Sequence, residues 1–290
     1  IEDRVFVSTP RECFGTLKDG KDNFRENPQM RVLNPTKPEL GRVSKQLIEK
    51  IVTDVRKKTG YLQWKNTFSC LQWFDRIRNK KDHWFIQFDV VSFYSSISKQ
   101  LLDETLAWVS TITDVDEKTK EVLYHVRQTF LFYQNEPWVK KDNPTFDVPM
   151  GAFDSAEVCE LVGLYILHKL KDLPVVAAVY RDDGLILSNL SRQQTEQIKK
   201  RICEIFRGLG LKITISANKK VVDFLDVTLN SEKETYKEYR KPNDNPKYVH
   251  CLSNHPPAII RNIPKNVNRR LNILSCNEDV FNECKQKYQR

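Results

Sequence analysis

Two apolar runs close around a pair of acids at residues 175–187, and this stretch limits the folds open to the chain. Val175-Val176-Ala177-Ala178-Val179-Tyr180 leads into Arg181-Asp182-Asp183-Gly184, and Leu185-Ile186-Leu187 follows. The runs are rich in β-branched residues and are bounded by Pro174 and by Ser188-Asn189. That pattern predicts a strand, a tight turn and a second strand. Adjacent carboxylates at the tip of such a hairpin are costly. At about 4 Å two of them repel by roughly 4 kcal/mol at an effective dielectric of 20. A divalent cation is the usual way to offset this, since hard cations take carboxylate oxygens. Asp-Gly is equally a strong turn signal, so the stretch alone leaves a plain hairpin turn open.

The other elements follow from periodicity. Residues 39–58 have an amphipathic helical pattern, with Leu40, Val43, Leu47, Ile48, Ile51, Val52 and Val55 on one side. Residues 59–83 interleave Tyr61, Trp64, Lys65, Phe68, Trp73, Phe74, Arg76 and Arg78. Aromatic and basic groups mixed in this way suit either a nucleic-acid surface or a helix that buries Trp73, Phe74 and Ile77. His83-Trp84-Phe85-Ile86-Gln87-Phe88-Asp89-Val90 reads as a strand ending in a carboxylate. Helices are expected over 99–109, 117–132, 156–170 and 191–209. Strands are expected over 211–215, 221–229 and 235–239, and a basic, Pro- and Asn-rich tail follows Lys241.

Composition narrows the function classes. Of the 290 residues, 47 are Lys or Arg against 38 Asp or Glu, a net charge of +9 that fits a polyanionic partner. No apolar run reaches the roughly 20 residues of a membrane helix, and no signal peptide is visible, so no membrane partner is expected. The chain starts at Ile1, which is consistent with a fragment. The seven cysteines are scattered and odd in number. They read as reduced, mostly core residues of an intracellular protein, nuclear or cytoplasmic and not secreted. His250, Cys251, His255, Cys276 and Cys284 do not have the spacing of a standard zinc finger.

Asp89 and the Asp182-Asp183 pair are far apart in the chain. If their strands are neighbours, three carboxylates converge on one sheet edge. Such a cluster can hold two divalent ions for in-line displacement at phosphorus.

Phe88-Asp89-Val90-Val91-Ser92-Phe93-Tyr94, Pro149-Met150-Gly151 through Ser155, Tyr180-Arg181-Asp182-Asp183 and Phe224-Leu225-Asp226 come in the order of the palm motifs of reverse transcriptases. From about Asn23 onward the chain resembles a reverse transcriptase core. Arg31-Val32-Leu33-Asn34-Pro35, Tyr239-Arg240-Lys241-Pro242 and Ser253-Asn254-His255-Pro256 resemble Penelope-like retroelements most. The resemblance implies an α+β right-hand polymerase. Residues 1–82 would form fingers and an N-terminal segment, and residues 83–240 an antiparallel palm with inserted fingers elements near 110–148. Residues 241–290 would form a short thumb, in which Lys265, Arg269 and Arg270 would suit phosphate contacts. It implies an RNA-directed DNA polymerase using Mg²⁺, two ions with Mn²⁺ as a substitute, an RNA or DNA template, a primer strand and dNTPs.

The same resemblance assigns roles. Asp89 and Asp182 would be the principal metal ligands, with Asp183 nearby and the carbonyl of Val90 completing a shell. Tyr94 would be the aromatic gate that excludes a ribose 2′-hydroxyl, where a plain core aromatic is the other reading. Gly151 and Ser155 would let template and nucleotide approach. Lys219 or Lys220 would protonate the leaving pyrophosphate. Phe224 and Leu225 would form the hairpin that grips the primer, and Arg31, with Lys37 or Lys65, would hold the triphosphate. Two residues depart from the pattern. Met150 stands where relatives have glutamine, and Arg181 puts a large cation beside Asp182. A catalytically inactive nucleic-acid-binding remnant and an RNA-directed RNA polymerase are the alternatives.

Overall fold

The computed structural model describes residues 11–18, 24–35, 39–139, 145–241, 249 and 252–288. Strands β1 (Phe14–Leu17) and β2 (Met30–Leu33) form an antiparallel ribbon. Helix α1 (Glu39–Thr59) follows and buries Ile48, Ile51, Val52 and Val55, the side expected from its periodicity. Next come β3 (Leu62–Gln63), α2 (Thr67–Arg76), β4 (Trp84–Val90), the short α3 (Phe93–Ser96), α4 (Lys99–Ser110) and α5 (Glu117–Val126). A second ribbon, β5 (Leu131–Tyr133) with β6 (Glu136–Trp138), precedes the long α6 (Ser155–Leu170). The chain continues through β7 (Val176–Tyr180), β8 (Asp183–Ser188), α7 (Arg192–Gly208), β9 (Ile213–Lys219), β10 (Val221–Phe224), β11 (Val227–Asn230) and β12 (Thr235–Glu238). It closes with α8 (Pro257–Leu274) and α9 (Glu278–Gln286).

The central sheet has the order β3-β7-β8-β4-β9. Every pairing in it is antiparallel except β3 with β7. Its edge strand β3 comes from the stretch read as fingers. Side-chain alternation along the strands separates two cores. Ile86, Phe88 and Val90 face a large core with Leu161, Val162, Ile202 and Phe206 of the covering helices. Phe85, Ala178, Leu185 and Leu187 face a smaller one shared with Trp64, Phe74, Val222, Phe224 and Leu274. The aromatic stretch 59–83 therefore works mainly as structure: α2 buries Cys70, Leu71 and Phe74, and Trp64 packs edge-on against Phe224 at 5.3 Å.

Several sequence expectations need correction. The helix expected over 117–132 stops at Val126, and residues 131–133 become strand. Arg127 caps the helix there and its side chain pairs with Asp154, while Gln128 bridges to Phe146. The strand expected over 221–229 is two strands, because the chain reverses at Leu225, whose φ is +53°. Residues 14–17, for which the sequence carries no clear periodicity, form β1. Lys37, His250 and Cys251 lie outside the described residues. The six described cysteines are free, and Cys70, Cys159 and Cys284 are buried. Among the described residues no helix is long and apolar enough to cross a membrane.

Candidate functional site

The register of the central sheet brings the acids together. Tyr180 of β7 lies opposite Asp183 of β8, Asp183 opposite Asp89 of β4, and Asp89 opposite Thr214 of β9. Residues directly opposite on antiparallel strands share a face, about 5 Å apart at Cβ. Tyr180, Asp183, Asp89 and Thr214 thus form one row across four strands, on the face of the smaller core. Asp182 occupies the turn between β7 and β8, and its carbonyl accepts the Val90 N–H at 2.9 Å. This bond fixes the end of β4 to the hairpin tip.

The glycine is not part of the turn. Arg181, at φ +52°, and Asp182 make the reversal, while Asp183 and Gly184 already belong to β8. Gly184 is required because the Phe88 ring lies across it: a Cβ there would meet Phe88 Cζ at 1.9 Å. The ring continues into an edge-on contact with Phe206 at 5.0 Å. Phe88, next to Asp89, thereby anchors β4 to the helical layer on the face opposite the carboxylate row.

Electrostatics mark the row as unusual. Burial, then the charges of Asp182 and Asp89, push the Asp183 carboxyl up from 3.8 to about 7, with Lys241 opposing. An acid in this state is one that a cation would relieve. The donor set is also right in kind, since carboxylate oxygens suit hard divalent ions. Among the described residues no group of three or more His, Cys, Asp or Glu is drawn together as a ready cation cage. The fit therefore rests on the Asp89–Asp183 pair with Asp182 at the adjoining turn.

Tyr94 reaches the same turn from the helical side. It is half-buried against the main core, and burial first, with Cys159 and Asp182 adding, raises its phenol to about 12. Arg181 folds back beside it, with its guanidinium 5.5 Å from the Tyr180 ring centre. Val90 is buried at the end of β4. Phe224 is buried and Leu225 caps the β10–β11 turn, packed against the smaller core. The next residue, Asp226, accepts Tyr239 N–H at 2.8 Å through its carbonyl and pairs with Arg270 at 3.4 Å. Arg270 also reaches Glu238 at 3.3 Å, so it ties α8 to the hairpin.

Other sequence assignments do not converge here. Lys219 lies opposite Phe85, four residues back along β4 from Asp89, about 13 Å at strand rise. Lys220 donates to the His83 carbonyl at 3.0 Å and to the Lys81 carbonyl, and it sits 4.0 Å over the Trp84 ring. The expected acid for the leaving group is thus corrected: both lysines belong to the opposite end of the strand. Because β9 runs antiparallel to β4, its later residues lie at that end. Arg31 is exposed on β2, opposite Thr16. Gly151, at φ +105°, rests on Asn34: a Cβ would meet the Asn34 carbonyl at 2.6 Å. Ser155 is buried at the start of α6. Sequence reasoning gave no site role to Lys241, whose charge acts on Asp183, or to the buried Arg127–Asp154 pair.

No protein-family model matches the chain, and no curated protein matches it by sequence. Solved structures match its shape. Telomerase from Candida tropicalis, in complex with a TWJ fragment of telomeric RNA, superposes with a TM-score of 0.55 at 13% identity, over 90% of this chain and 49% of that one. The apo form, truncated from its C-terminal domain, gives 0.53 at 12%, over 68% and 45%. The RNA-dependent RNA polymerase of a human picobirnavirus gives 0.54 at 11%, over 76% and 44%. The chain spans less than half the length of each. The likeness establishes the fold, an α+β right-hand polymerase architecture.

Proposed function

We propose that the chain is the core of a template-directed nucleotide polymerase, and within that class an RNA-directed DNA polymerase. The observation that carries this reading is the row of Asp183 and Asp89, with Asp182 at the turn, on a polymerase-type fold. The reaction is attack of a primer 3′-hydroxyl on the α-phosphorus of a nucleotide, with pyrophosphate leaving in line. Mg²⁺ held by Asp89 and Asp182, with Asp183 and the Val90 carbonyl beside them, would supply the positive charge this displacement needs. Tyr94 then borders the sugar, where ring bulk disfavours a 2′-hydroxyl. Leu225 and the β10–β11 turn support the primer end, and the basic excess binds template and primer phosphates.

In this reading residues 1–82 and the stretch near 110–148 form fingers, 83–240 the palm and 241–290 the thumb. The segments that resemble Penelope-like retroelements favour that group within the reverse transcriptases. Purified chain should extend a primer on an RNA template with dNTPs and Mg²⁺, and Asp182→Ala should abolish extension while the fold survives. Normal extension by that variant would overturn the site. The likeness to a viral RNA polymerase favours the second reading, an RNA-directed RNA polymerase, and preference for NTPs over dNTPs would select it. Primer–template binding without turnover would select a non-catalytic remnant.

A further inference from the structure

Arg127 has a wholly buried guanidinium with one ionic partner. Nη2 donates to Asp154 Oδ1, and Nε and Nη1 are buried without a hydrogen-bond partner among the described residues. Asp154, also fully buried, accepts the Ser44 hydroxyl of α1 through its other oxygen. Burying such a pair yields little net stability, and its best-attested use is to enforce one arrangement.

The arrangement enforced here is a loop. The Arg127 carbonyl accepts Asp147 N–H at 2.9 Å, while its side chain grips Asp154. One residue therefore closes both ends of the segment 147–154, which contains Gly151. Midway, Asn34 N–H donates to the Met150 carbonyl at 2.8 Å, and its side-chain amide donates to the Phe130 carbonyl at 3.0 Å. One side of this segment borders a cavity of about 230 Å³, which Asn34, Pro149, Ala152, Phe153 and Asp154 line. A loop with a void on one side needs polar anchors to keep a single position.

The loop leads into α6, which packs against α3, the helix that carries Tyr94. Ser155 begins α6, and Cys159, one turn on, lies within the electrostatic reach of both Asp182 and Arg127. We propose that Arg127, through Asp154, is a positioning residue that holds the Gly151 turn in register with the Asp89–Asp183 row, and so sets nucleotide affinity. This rests on the polymerase reading for its functional half only.

The test compares Arg127→Met, Arg127→Lys and Asp154→Asn with the wild-type chain. Amide hydrogen exchange needs no activity. Arg127→Met should exchange about tenfold faster over 147–155 with β4 and β8 unchanged, as expected for a local opening. Asp154→Asn is the milder cut if the Met variant folds poorly. Arg127→Lys, which keeps the charge but loses the fork, should fall between. Unchanged exchange in the loop, or equal acceleration everywhere, would overturn the proposal. In primer extension the KM for nucleotide should rise on the order of tenfold or more with a smaller change in kcat, since a misplacement of about 1 Å can cost on the order of 10²-fold. A fall in kcat at constant KM would overturn the link to affinity. If wild-type chain extends no primer, the polymerase reading fails, and exchange alone then judges the loop anchor.

Discussion

The two ends of β4 treat charge in opposite ways. At the Trp84 end, Lys220 is satisfied by the carbonyls of His83 and Lys81 and by the Trp84 ring, and Ser231 donates to the same His83 carbonyl at 3.1 Å. Arg192 stacks over the other approach to that ring at 4.7 Å. Lys220 and Arg192 thus each have a structural partner. At the Asp89 end, Asp89 and Asp183 lie opposite one another with Asp182 at the adjoining turn, and Asp183 is held up at about 7 by burial and by its neighbours. Charge arranged for architecture is neutralised inside the protein. The acids at the Asp89 end are charges that a bound cation would relieve.

The contrast can be broken by experiment. The largest effect is expected at the acidic end: Asp182→Ala should lower primer extension by at least about 10³-fold, the scale of losing a transition-state charge partner, with the circular dichroism spectrum retained. Extension within tenfold of wild type would show that the crowded acids are not the site.

Next is pH. The folded Asp183 binds its proton up to about pH 7, whereas the unfolded carboxyl releases it near 3.8. The folded state therefore holds more protons between these values, and metal-free chain should lose stability as pH rises from about 4 to about 7. The ceiling is about 4 kcal/mol for this one group. Asp183→Asn should flatten that slope in urea titrations. An unchanged slope would locate the titration elsewhere.

Lys220→Met tests the opposite end. It should cost about 1–3 kcal/mol of stability through the lost carbonyl contacts, with the KM for nucleotide and kcat unchanged. A fall in kcat larger than the fall in folded fraction would restore Lys220 to the chemistry. The smallest effect is at the boundary: Tyr94→Ala should raise ribonucleotide incorporation a few-fold, on the order of the 1–3 kcal/mol available to shape discrimination. Unchanged sugar discrimination would leave Tyr94 as a core aromatic.

Much of the fold was legible locally. The alternation at 84–90 and the twin apolar runs at 175–187 carry their strands with them, and residues 39–58 announce a helix through one apolar stripe. The candidate acids were legible because carboxylates at strand ends are costly wherever they occur. Three readings failed. The helix expected over 117–132 ends at Val126, where Arg127 caps it and pairs with Asp154. The strand over 221–229 was divided by a left-handed Leu225, a residue with no turn preference. Lys219 and Lys220 were assigned through the family resemblance, and the antiparallel β9–β4 ladder sets them at the far end of β4 from Asp89. In the first and third cases a partner distant in the chain outweighed local preference.

The chain's own pattern established which segments become strands and helices, and that acids stand at strand ends, because periodicity and desolvation act within a few residues. Register was a tertiary matter. A slip of one residue between β4 and β8 would turn Asp89 to the other face of the sheet. Phe88 seated on Gly184, and Val90 bonded to Asp182, prevent that slip.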